Sequence, residues 1–193
     1  PVPNFTGVRV LPDFPLEELV PYIDWSPFFI AWELHGKFPA IFDDKVVGEE
    51  ARRLYADAQV MLKQLIEEKW ITARAAYGFF PAKKDGDDVH LTDGPTLHFL
   101  RQQSEKRAGE PNRSLADFVS PKGDDYMGAF CVTAGIGVHE RVQAFREAGD
   151  DYSAILLEAL ADRFAEAFAE KLHSIARDEW GIGDNLTNEQ LIK

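Results

Sequence analysis

The chain has 193 residues, with 21 Lys and Arg against 33 Asp and Glu, for a formal charge of −12. Hydrophobic residues at 45%, 14 of them Phe, supply enough apolar surface to exclude a disordered chain, and the length suits one domain or two small ones. The acidic balance argues against nucleic acid, whose phosphates call for Lys and Arg, and no run approaches the ~18 apolar residues of a membrane-spanning helix.

Residues 1–15 carry Pro1, Pro3, Pro12 and Pro15 and read as an extended arm or linker, with a short helical turn following at Pro15–Leu19. An aromatic run extends from Tyr22 to Trp32. Inside it, Ser26 and Pro27 are a suitable N-cap and first-turn pair, so a helix is expected to begin there. Asp24 precedes that start, and a carboxylate among rings must find a donor or a cation. From Gly48 to Trp70 apolar residues recur at helical steps. Ala75–Phe80 reads as a strand, Lys83–Asp88 as a turn and Val89–Leu91 as a returning strand. Leu97–Gln103 reads as another strand, Ser114–Val119 as a capped turn, and Asp125–Thr133 as a strand ending at Gly135 and Gly137. The last long helix runs from about Asp151 to Glu179, with Asp150 or Asp151 as its cap and Gly181 or Gly183 at its end. Strands grouped between helices predict an α+β fold, a single domain with a central antiparallel sheet and flanking long helices.

Cys131 is the single cysteine, which rules out an intrachain disulfide and a cysteine zinc cluster. Its apolar neighbours predict a buried small hydrophobe in a reducing, hence cytoplasmic, compartment, and Pro1–Asn4 is not the start of a signal peptide. Five scattered histidines form no ligand pair, so no metal site is expected, and Ala134-Gly135-Ile136-Gly137 is only a glycine turn. On the late helix, Glu158, Asp162, Glu166 and Glu170 recur at steps of four, placing four carboxylates on one slowly drifting stripe. Spacing leaves two readings of that stripe open: a solvated face, or a surface that receives something positive.

Several ordered blocks resemble the C-terminal activation domain of cobalamin-dependent methionine synthase. They include Tyr22-Ile23-Asp24-Trp25-Ser26-Pro27-Phe28-Phe29, Asp44 to Ala51, Gly78-Phe79-Phe80-Pro81-Ala82, Leu100-Arg101-Gln102-Gln103 and Leu115-Ala116-Asp117-Phe118-Val119. Tyr126 to Thr133, Ala159 through His173, and Asn185-Leu186-Thr187-Asn188-Glu189 complete them. The resemblance implies a module that binds S-adenosylmethionine over a corrinoid, so that one electron from a flavodoxin-type reductant and a methyl group return the oxidised cofactor to use in methionine biosynthesis. It implies Asp24 and Glu166 as S-adenosylmethionine-binding residues and Asp162 as a contact to the cobalamin-binding module, which itself holds the cobalamin. No residue of the domain is implied as catalytic, since the chemistry belongs to cobalt and the sulfonium. A free-standing reactivator of a separate corrinoid protein and a non-catalytic docking domain are the alternatives.

The family pattern continues past the Asn-Leu-Thr-Asn-Glu block into Arg-x-x-Pro-Gly-Tyr-Pro, whereas this sequence stops at Leu191-Ile192-Lys193. The expectation is therefore an activation domain over residues 16–193 that lacks its C-terminal part and, alone, binds the ligand weakly and is inactive.

Overall fold

A computed structural model describes residues 1–182 of the chain. The Asn185–Glu189 block, Gly183 and the end at Leu191-Ile192-Lys193 lie outside the described residues. The fold is mixed α and β, as the grouping of strands between helices predicts. Among the described residues five strands form one sheet: β1 (Gly7–Phe14), β2 (Thr72–Asp85), β3 (Asp88–Leu91), β4 (Thr96–His98) and β5 (Asp125–Ile136). The order is β1-β2-β3-β4, with β5 also paired to β2, and the β2–β3 and β3–β4 pairs are antiparallel. Among the described residues the α-helices are α1 (Trp25–Ala31), α2 (Gly48–Glu67), α3 (Val138–Glu147) and α4 (Asp151–Glu179).

The chain divides into two compact units. Among the described residues, one comprises Pro1–Arg9, Ala76–Phe130 and residues 174–182. Its β2–β3 hairpin turns at Asp85–Asp88, where Gly86 supplies φ 60°. Alternation along the strands sends Ala82 and Val89 into a small core with Ala116 and Val119. The strand expected over Leu97–Gln103 is shorter and begins earlier, at Thr96–His98. Beyond it, side chains take over from the ladder. Arg101 donates to Asp87 at 2.5 Å, to both carboxylate oxygens of Asp117 at 2.6 and 2.9 Å, and to the Asn112 carbonyl at 2.7 Å. Lys84 reaches Asp117 at 2.6 Å. Ser114 and Asp117 form a reciprocal capping box on the 3₁₀ turn Leu115–Phe118, the capped turn expected there.

The second unit comprises Val10–Ala75 and Cys131–His173. Leu54, Leu62 and Leu65 of α2 and Leu157, Leu160, Phe164, Phe168 and Leu172 of α4 are buried, as the helical periodicity requires. Asp150 caps α4 by accepting from the Ser153 amide at 3.0 Å. Sequence periodicity passes over α3, whose one buried residue is Val142. Cys131 is exposed, contrary to expectation. Among the described residues Gly128 to Cys131 of β5 are all exposed, although a β-carbon at Gly128 would come within 3.1 Å of the Trp180 ring. An apolar run does not by itself specify a covering layer.

Two predictions follow from the first unit. The Arg101 guanidinium, then Lys84, then the Ser114 amide hold the Asp117 carboxyl well below the usual carboxylate range. Its contribution to stability is full above the unfolded-state value near about pH 4 and is lost as pH falls towards the depressed folded-state value. Asp117→Asn should lower the thermal midpoint at pH 7, with the gap to wild type closing below pH 4; an equal gap at pH 7 and pH 2.5 contradicts this role. At Gly78 a β-carbon would lie 2.3 Å from the Gly7 carbonyl oxygen. Gly78→Ala should cost about 1–3 kcal/mol in urea unfolding, because backbone must shift to admit it.

Candidate functional site

The site lies in the second unit and starts from α1. A helix of seven residues cannot hold itself together in water, and tertiary packing must do so. Trp25, Phe28 and Phe29 are buried. Trp25 meets Tyr55 edge-on at 4.8 Å between centroids and Phe28 at 5.3 Å, while Phe38 meets Phe42 and Tyr55 at 5.5 Å. The Trp25 contacts and Phe38–Phe42 are edge-to-face, which suits the ring quadrupoles, while Phe38–Tyr55 is tilted at 34°.

The N-cap of α1 is Asp24, two residues before the expected Ser26. Asp24 Oδ1 accepts from the Ser26 amide at 2.9 Å, so the carboxylate finds its donor in its own backbone. Asp24 is exposed, whereas Trp25, Phe28 and Phe29 beside it are buried. Ser26 stands in the first turn, where its hydroxyl is not required for capping. That hydroxyl accepts instead from the Phe38 amide at 3.1 Å.

Asp24 and Glu166 line the same cleft, of about 400 Å³, together with Tyr22, Trp25, Ser26, Lys37, Phe38 and Glu170. That volume is within the range of small-molecule sites. Three carboxylates and one lysine leave the lining net negative, and Tyr22, Trp25 and Phe38 add aromatic surface. Glu166 is exposed and pairs with Arg163, whose side chain is only 17% exposed. Lys171 covers the Tyr22 ring at 5.3 Å and also pairs with Glu18 at 3.6 Å.

The acid stripe on α4 does not act as one surface. Four residues at about 100° each overshoot a turn by about 40°, so three steps rotate the stripe by about 120°. Glu158 pairs with Arg146 at 3.0 Å, and Asp162 is exposed and outside the cleft lining. Only Glu166 and Glu170 border it. The contribution of Lys37 and Phe38 is not visible from sequence, because they sit in a connection without periodicity. Arg163 carried a signal in its i,i+3 spacing to Glu166. Among the described residues no group of His, Cys, Asp and Glu is arranged to hold a metal, and no helix is long and apolar enough to cross a membrane.

Capping and charge at Asp24 are separable. Asp24→Ala should cost about 1 kcal/mol of stability in urea unfolding, whereas Asp24→Asn, which still accepts the Ser26 amide bond, should cost much less. Equal losses would show that the cap contributes nothing.

Residues 15–193 match the profile of the family described as vitamin B12 dependent methionine synthase, activation domain. A crystal structure described as the MetH reactivation domain bound to AdoHcy aligns with a TM-score of 0.93 and 46% identity. That alignment covers all of this chain and 62% of the length of the other.

Proposed function

Because the chain belongs to the activation-domain family of vitamin B12 dependent methionine synthase, we propose that its cleft binds S-adenosylmethionine during reductive reactivation of that methyltransferase. The single observation that carries this reading is the meeting of Asp24 and Glu166, from elements 142 residues apart, in one net-negative, aromatic-lined cleft. S-adenosylmethionine bears a sulfonium and an ammonium group, and carboxylates with aromatic faces suit both. The similarity to a reactivation domain bound to AdoHcy supports the same assignment.

In this reading the domain's contribution is position. Asp24, held by the Ser26 amide through Oδ1, keeps Oδ2 for a donor on the ligand. Glu166 is held by Arg163 through Oε2, which leaves Oε1 for the ligand. Tyr22 and Phe38 supply flat surface. The corrinoid would be held by the cobalamin-binding module of the same enzyme and, with a flavodoxin-type electron donor, would supply reduced cobalt as the methyl acceptor. Holding the sulfonium methyl in line for that transfer replaces a bimolecular encounter with a prearranged one. In that transfer the reduced cobalt would provide the electron pair of the new bond to methyl, the sulfur would keep both electrons of the bond broken, and the ligand would leave as the neutral thioether. Asp162, exposed one turn before Glu166 and outside the cleft, stays available to the corrinoid module.

Calorimetric titration of the full-length parent protein with S-adenosylmethionine tests the assignment. Asp24→Asn and Glu166→Gln should each weaken binding by about tenfold or more, the scale of a charge-assisted hydrogen bond, with thermal midpoints close to wild type. Wild-type affinity in both variants would remove the cleft as the binding site.

A further inference from the structure

Ser26 joins two stretches of the cleft lining through two different atoms. Its amide donates to Asp24 Oδ1 at 2.9 Å, and its hydroxyl oxygen accepts from the Phe38 amide at 3.1 Å. Asp24, Lys37 and Phe38 all line the cleft, Asp24 at the start of α1 and Lys37 and Phe38 in the segment that follows that helix. The displaced cap makes this possible. With Asp24 in the capping position, the Ser26 hydroxyl is released from the role that the Ser-Pro pair suggests, and it becomes a tether.

We propose that Ser26 is a positioning residue of the cleft: its hydroxyl fixes the Lys37–Phe38 segment against α1, and so sets the gap into which the ligand fits. This deepens the reading of the cleft as a ligand site and rests on it. The segment needs such a tether. It is an irregular connection between α1 and the 3₁₀ turn Ala40–Asp43; the Ile41 amide of that turn holds the Lys37 carbonyl at 2.8 Å, whereas the Phe38 amide is held by the Ser26 hydroxyl. The Phe38 ring does rest on Phe42 and Tyr55. Ring packing restrains the side chain but leaves the amide at residue 38 without an acceptor, and a part-buried amide without a partner favours conformations that return it to water. Losing the tether therefore moves the wall, with Asp24 and its cap left in place, since the Ser26 amide belongs to the backbone and survives any replacement except proline.

The test uses the full-length parent protein with S-adenosylhomocysteine as the calorimetric probe. Four variants are compared: Ser26→Ala, Ser26→Thr, Ser26→Val and Asp24→Asn. Thr and Val differ by a hydroxyl against a methyl at nearly constant shape, so this pair remains informative even where the alanine variant folds poorly. Ser26→Ala and Ser26→Val should bind about fivefold more weakly, the scale of one net hydrogen bond, while Ser26→Thr stays within about twofold of wild type. Hydrogen exchange by mass spectrometry over the Lys37–Phe38 peptide should speed up in the Ala and Val variants and not in the Thr variant. Wild-type affinity in the Val variant, or equal losses in Thr and Val, overturns the proposal. A loss in Asp24→Asn alongside wild-type affinity in Ser26→Val rejects the tether and keeps the binding site. Wild-type affinity in Asp24→Asn instead rejects the site itself.

Discussion

The site depends on the burial of three rings from a helix too short to exist alone. Trp25, Phe28 and Phe29 fix α1 by packing, with Trp25 set edge-on to Tyr55 and Phe28. Each full ring burial is worth roughly 1.5–3 kcal/mol, far more than the propensity of a seven-residue helix. Once α1 is fixed, its first residues take defined places. Asp24 becomes the cap, the Ser26 hydroxyl is left to accept from the Phe38 amide, and Trp25 serves both the core and the edge of the cleft. Stability and site construction therefore share residues here, and the aromatic run is neither purely core nor purely site.

The opposite wall is governed by helical geometry. A step of four residues keeps carboxylates close enough to repel, at roughly 0.2–0.5 kcal/mol for each pair, yet it rotates steadily away from any one direction. The repulsion is relieved locally: Arg146 answers Glu158, Arg163 answers Glu166, and Lys171 lies beside Glu170 in the chain and pairs with Glu18. Two of the four acids border the cleft and two do not. A regular motif thus divides into a part that serves the cleft and a part that serves the surface.

Long periodic elements were legible from the residues alone. The α2 and α4 periodicities, the Asp150 cap and the Ser114 capping box all stand where spacing places them. Boundaries set by competition were not. Ser26-Pro27 is a good helix start by composition, but Asp24 captures the same amide two residues earlier. The strand after Thr96 stops short because Arg101 turns to Asp87 and Asp117, contacts distant in sequence. Helix α3 buries too little for its period to stand out, and Cys131 depends on whether any layer covers β5, which composition does not encode. For the cleft, spacing marked Asp24 and the acid stripe as unusual without connecting them. The family resemblance joined Asp24 to Glu166, and Lys37 and Phe38 emerged only in three dimensions, brought in by a tether that leaves no sequence pattern.

The net-negative lining bears on time as well as on affinity. Carboxylates at the mouth of a cleft draw cations from several ångströms away and raise the rate of encounter, an attraction that salt screens over about 8–10 Å. Contacts made inside, to an oriented Asp24 and to fixed aromatic walls, act after arrival and govern how long a cation stays. Arrival and residence are therefore assigned to different features of the same cleft. A cationic guest would enter faster in dilute buffer than in concentrated salt, while its departure would follow the rigidity of the walls.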